Sequence, residues 1–201
     1  MNQTSIIVNI CTWFSRLVWL NLCWIIFSLL GGLVFGVFPA TTALLIMMRR
    51  YLNGANRVTL KDFYLAWRSE LITTNQTLLP LFLIALSIVW YLNWSLNSDY
   101  YTIQLLSLGL LPLLVFNCLF SCAVLIQASV YKLSVKQLWL EGITLLRSVV
   151  SLPLIMLISV VVCLISSLIM PILALLFLIS PGCLLTMAWY LHQFPEHKLL
   201  S

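Results

Sequence analysis

The sequence predicts an all-α fold, a polytopic bundle of transmembrane helices, on three observations. Of its 201 residues, 63% are hydrophobic and only 7% are charged, whereas an ordinary soluble domain carries about 25% charged residues. So little charge cannot cover a soluble surface. The charged residues are also clustered, leaving 17–48, 71–98, 100–131 and 148–191 with none. Each interval can hold the roughly 20 apolar residues that cross about 30 Å of hydrocarbon. Residues 1–201 therefore read as a single integral membrane domain whose main partner is the lipid bilayer.

The first element is the least regular. A secretory leader is the rival reading of Met1 to Gly36, but the apolar stretch is long, lacks a clear small-x-small cleavage site and runs into more membrane sequence, so it reads as retained. Between Arg16 and Arg49 lie 32 uncharged residues, too many for one untilted span and few for two. Gly31-Gly32, Gly36 and Pro39 sit at the centre, where a helical hairpin needs its turn. The hairpin is the preferred reading, with a first helix from near Ile6 and a shortened second one from about Pro39 to Leu52. It gives six membrane helices and both termini on one side; a single crossing gives five.

Thr59 followed by Asp62 has the form of a helix-start capping arrangement. After it, Leu60, Phe63, Tyr64, Trp67 and Leu71 recur at helical spacing, while Lys61, Asp62, Arg68 and Glu70 take the remaining surface. This predicts an amphipathic cytoplasmic helix, serving either as an interfacial anchor or as a docking surface. Leu78 to Leu96 and Ile103 to Tyr131 then read as two spans joined by Asn97 to Tyr101. Ser148 to Leu191 spans 44 residues, about 66 Å as one helix and twice a bilayer. It should fold back near Ser166 to Pro171, with Pro181-Gly182 kinking the last helix.

Lysine and arginine accumulate in cytoplasmic loops. Arg49, Arg50, Arg57, Lys61 and Arg68 lie in one connector and Lys132, Lys136 and Arg147 in another, whereas the connector with Asp99 has none. Both basic loops and the C-terminus are expected on the cytoplasmic side of the membrane. The formal charge of +5 follows from this orientation; the basic residues form no groove-lining patch, so no nucleic acid is expected.

No zinc-protease or P-loop motif occurs, and both histidines, His192 and His197, fall in the tail. The cysteines Cys11, Cys23, Cys118, Cys122, Cys163 and Cys183 read as small packing hydrophobes. Cys118 and Cys122 share a helix face, but no histidine or carboxylate lies near to complete a metal site. Neither catalytic residues nor a cofactor or metal are expected, and the chain reads as non-enzymatic. Carboxylates deep in the spans, the usual mark of a proton pathway, are missing. The remaining polar side chains are Asn21 and Ser28, Thr41 and Thr42, and Asn117 with Ser121. Asn21/Ser28 and Asn117/Ser121 each project from one helix face. They could line a polar cavity, or make interhelical hydrogen bonds averaging about 0.6 kcal/mol. Asn75 and Asn93 begin tripeptides of the glycosylation type, a pattern short enough to arise by chance.

Three local patterns coincide with a known family. Arg16-Leu17-Val18-Trp19-Leu20-Asn21-Leu22-Cys23-Trp24, Phe38-Pro39-Ala40-Thr41-Thr42-Ala43-Leu44 and Lys61-Asp62-Phe63-Tyr64-Leu65-Ala66-Trp67 resemble the YesL-like integral membrane proteins of bacteria, whose biochemical function is unknown. The resemblance extends over nearly the whole chain, and its motif residues Asn21, Pro39, Ala40, Thr41, Asp62, Phe63 and Trp67 are structural. This chain has Phe38 where the family usually has glycine before the proline. Members are often encoded beside oligosaccharide ABC transporters, so the resemblance implies an accessory or regulatory role with transporter subunits in carbohydrate import. The alternative is a small-substrate-binding membrane subunit of an importer.

Overall fold

A computed structural model describes residues 3–98, 100–169 and 179–195, and every regular element among them is an α-helix. The elements are α1 (Gln3–Leu30), α2 (Val34–Leu52), α3 (Leu60–Leu96), α4 (Tyr101–Leu108), α5 (Leu111–Val130), α6 (Val135–Ser148), α7 (Ser151–Ile169) and α8 (Ser180–Gln193). The all-α bundle read from the composition is the fold.

The hairpin in the first segment is present, and its turn lies where the glycines are. Gly32 adopts φ 73°, and its N–H reaches the Leu29 carbonyl while that of Leu33 reaches Ser28, both at 3.0 Å. This pair of bonds satisfies the last carbonyls of α1, and the left-handed residue at its centre is the usual place for glycine. A side chain on Gly36 would stand 2.2 Å from the Ser28 carbonyl oxygen, so α1 and α2 touch backbone to backbone. Because Gly36 already belongs to the second helix, α2 starts at Val34 rather than near Pro39.

Pro39 therefore sits inside a helix, and its missing N–H leaves the carbonyl of Phe35 without its in-helix donor. Asn75 of α3 supplies the replacement, its Nδ2 donating to Phe35 O at 2.8 Å. Beyond the proline, Ala40, Thr42, Ala43, Leu44, Leu45 and Met47 are all fully buried. An element apolar all round is buried all round, and α2 is the central helix, packed against α1, α3, α5 and α8.

α3 corrects the sequence reading. The amphipathic stretch and the following span are one helix of 37 residues. Nothing between Leu71 and Leu78 stops it: that stretch has no glycine or proline, and Thr77 turns its hydroxyl back to the Thr73 carbonyl. The capping box at its start forms as expected, with Thr59 N–H donating to Asp62 Oδ2 at 2.9 Å and Asp62 N–H to Thr59 Oγ1 at 3.3 Å. The buried face, however, is Phe63, Ala66, Trp67, Glu70, Thr74 and Thr77. Glu70 thus belongs inside, while Leu60 and Tyr64 are exposed.

The stretch from Ile103 to Tyr131 divides into α4 and α5, because Pro112 is best placed in the first turn of a new helix. α6 is the most amphipathic element, and it packs on α5 through Gly142, where a side chain would come within 2.7 Å of Val124 Cγ2. Pro181-Gly182 begins α8 instead of kinking it, since proline tolerates the first helical turn. Of the expected reversal near Ser166 to Pro171, residues 166–169 continue α7 as helix, and 170–171 lie outside the described residues.

Among the described residues, three stretches are long and apolar enough to cross a membrane: Ile10–Leu30, Leu60–Leu96 and Tyr101–Val130. Val135–Ser148 and Ser151–Val162 qualify only as a pair bent by 94°, which would make four. Large apolar side chains stand outward on these helices, Leu83, Leu86, Trp90, Phe116 and Val162 among them. This arrangement is compatible with a multi-pass membrane protein.

Candidate functional site

The two basic connectors meet at one end of the bundle. The last turn of α2 brings Arg49, Arg50 and Asn53, α3 brings Glu70, and the end of α5 brings Tyr131 and Lys132 around a cavity of about 520 Å³, within the usual range of small-ligand sites. Arg49 Nη1 donates to the carbonyl of Val130 at 3.1 Å, where the end of α5 presents partial negative charge. Its buried Nε has no hydrogen-bond partner. Burial presses its guanidinium below its ordinary value, opposed by Tyr190 and aided less by the neighbouring Arg50. Arginine does not give up its proton in proteins, so the effect is a demand for negative charge.

That demand is poorly met by the chain. Arg50 stands 3.8 Å from Asp62 with both side chains well exposed, a weak arrangement. Glu70 is buried, feels the charge of Lys132 and accepts a long bond, 3.5 Å, from Thr74. Asn53 holds both Nδ2 and Oδ1 buried and unpaired. Each such buried, unpaired polar group costs about 1–3 kcal/mol. Three cations and one buried carboxylate are thereby gathered around a recess with hydrogen-bonding capacity to spare. The sequence reading used Arg49, Arg50 and Lys132 only as orientation signals and set Glu70 on the outer face. The available signal was its register, three residues after Trp67 and seven after Phe63.

Arg16, near the same end, is by contrast satisfied. It lies over the rings of Tyr51 at 4.7 Å and Trp13 at 5.2 Å, and Nη2 reaches Asn56 O at 3.4 Å. Neighbouring Trp19 donates to Val58 O at 3.2 Å, tying α1 to the connector before α3.

The polar residues singled out as a membrane-depth cavity are dispersed over several packing contacts. Asn21 is fully buried, and its Oδ1 accepts from the Ile179 N–H at 3.4 Å. Thr41 Oγ1 accepts from Trp24 Nε1 at 3.0 Å and donates to Val37 O at 2.7 Å. Ser28 is buried with its hydroxyl unpaired. On α5, Asn117 is buried and Ser121 donates to its carbonyl at 2.8 Å. The motif residues Pro39 and Ala40 are buried in α2. Phe63 and Trp67 pack on Phe27, with ring centroids 5.2 and 5.5 Å apart.

Residues 17–94 match the family described as a protein of unknown function, DUF624. Similar curated proteins come from Bacillus subtilis (strain 168), and each is described as uncharacterized. YteU is 36% identical over 90 residues, 44% of this chain and 40% of YteU. YesL is 39% identical over 67 residues, 31% and 32% of the two chains; YesV is 33% identical over 66 residues, 32% of each. The matched stretches cover well under half the length of these relatives. No solved structure matches the chain. The matched segment holds the three motifs apart from Arg16 and joins the α1–α2 hairpin to α3. Residues 17–94 are thus similar to the DUF624 family, and the resemblance to the YesL-like proteins of unknown function holds over that segment.

Proposed function

We propose that this chain is a non-enzymatic multi-pass protein of a bacterial cell membrane, with its basic end and C-terminus cytoplasmic, that acts as an accessory or regulatory component of a carbohydrate ABC transporter. The observation that carries the reading is the length of α3. Its 37 residues extend about 55 Å, so some 25 Å continues past about 30 Å of hydrocarbon. This continuation carries the capped, motif-bearing start of the helix. Its outward side alternates Leu60, Leu65 and Ile72, about half exposed or more, with the charged Lys61 and Arg68. Apolar side chains among cations fit a membrane-proximal protein surface better than they fit acyl chains. The family resemblance supplies the carbohydrate transporter as partner, and the sequence supplies no nucleophile-base pattern for catalysis.

Affinity capture of the full chain from its native membrane in mild detergent should recover transporter subunits, and a deletion strain should take up the oligosaccharide more slowly. Leu65→Glu, on the exposed side, should abolish the capture without changing expression. Recovery of no transporter subunit together with unchanged uptake refutes the proposal.

A further inference from the structure

We propose that the recess between the ends of α2, α3 and α5 binds a phosphate ester bearing hydroxyl groups, its phosphate held by Arg49, Arg50 and Lys132 and its hydroxyls by Asn53 and Glu70. The inference is independent of the transporter role.

The composition of the wall selects the chemistry. Two arginines and a lysine converge on one cavity, and arginine matches phosphate through paired N–H donors. Arg49 is already fixed at Nη1 by Val130 O, which aims the guanidinium and leaves Nε free of partners. A bare inorganic anion would use these donors but would leave Glu70 facing like charge. A hydroxyl solves this, since it donates to the carboxylate and can both donate to and accept from the Asn53 amide. The unpaired Asn53 atoms are buried just behind the wall, and a side-chain rotation, opposed by no existing hydrogen bond, presents them. Two sources carry this chemistry: a soluble glycerol or sugar phosphate, and the headgroup of phosphatidylglycerol.

The test uses the full chain purified in a neutral detergent. In one arm, thermal unfolding is followed against glycerol 3-phosphate, with inorganic phosphate and glycerol in parallel. In the other, the protein is reconstituted in vesicles of phosphatidylglycerol and phosphatidylcholine, re-extracted, and its retained lipid identified by native mass spectrometry. A dose-dependent rise in melting temperature with glycerol 3-phosphate supports the soluble source. Retention of phosphatidylglycerol over phosphatidylcholine supports the lipid. In the responding arm Lys132→Gln, at an exposed position, and Asn53→Ala should each weaken binding on the order of tenfold. Their melting temperature without ligand separates lost binding from lost folding. Silence in both arms overturns the proposal, as does binding that neither variant weakens. Inorganic phosphate binding as tightly as the ester overturns the assignment of Asn53 and Glu70.

Discussion

At the residue scale, the hydrogen bond from Asn75 to Phe35 O explains how a proline is tolerated in the central helix. Asn75→Ala leaves that carbonyl without its side-chain donor and should lower stability by about 1 kcal/mol, the net worth of one hydrogen bond. Pro39→Ala restores the N–H that an ordinary helix would use. In that background the same Asn75→Ala change should cost less. A double-mutant cycle by thermal unfolding in detergent measures the difference, and additive effects would show that the two residues do not share the carbonyl. The sequence displayed Pro39 plainly but gave no hint of Asn75, whose role depends on a partner 40 residues away. The capping pair Thr59 and Asp62 was legible because both partners lie within one turn. Thr59→Ala should cost about 1 kcal/mol. The hydrogen bonds from Thr59 hold the Asp62 carboxyl below its ordinary value of 3.8 at this exposed helix start. A lowered folded-state value makes this contribution present above about pH 3.8 and lost as pH falls through the lowered value. In Thr59→Ala that acid-side loss should shrink, which a series of melting curves between pH 3 and 6 would read.

At the scale of elements, hydrophobic period and breakers located the helices well, and errors arose where the same breaker has two uses. Pro39 was placed at a start and lies inside a helix, whereas Pro181 was placed inside and lies at a start. The distinction is made by packing, which periodicity does not contain. Gly182 shows the packing reason at the second site: an added side chain would come within 1.9 Å of Ser159 Oγ, so α8 begins pressed against α7. Gly182→Ala should therefore destabilise by about 1–3 kcal/mol through overpacking. Ser159→Gly, which removes the opposing atoms, should restore most of that loss in the double variant. If the pair were no better than Gly182→Ala alone, α7 and α8 would not meet there. The cationic recess was illegible for a related reason. Its members come from three elements whose ends converge only in the fold, and Glu70 looked solvent-facing as long as the apolar stripe was drawn through Tyr64 instead of Ala66.

At the scale of the whole molecule, the charge-free intervals gave the bundle, and the position of α2 gives it a centre. From Pro39 to Met48 this helix is almost wholly buried and has little surface for lipid, and the other helices pack around it. The proposed direction of the chain rests on its charge. The cations of both basic connectors, Arg49 and Arg50 in one and Lys132 in the other, line a single cavity, while the connector at 97–100 lies at the far end of a helix about 55 Å long. This asymmetry supports the proposed orientation through the preference of lysine and arginine for the cytoplasm. Reporter fusions at Asn53 and Ser134 should therefore be active only in the cytoplasmic sense, and one at Ser98 only in the external sense. Because α1 and α2 form a hairpin, a fusion before Gln3 should agree with Asn53, not with Ser98. An N-terminal reporter on the external side would mean that the α1–α2 pair crosses the bilayer as one element. The turn at Gly32 would then have to open in the membrane, and replacing it with a rigid pair, Gly31→Ala with Gly32→Ala, should leave the topology unchanged. With the hairpin as described, that double variant must instead strain a left-handed position and drive Gly31 into the Cα of Gly36, 2.3 Å from the added carbon, and the folded fraction in detergent should fall sharply.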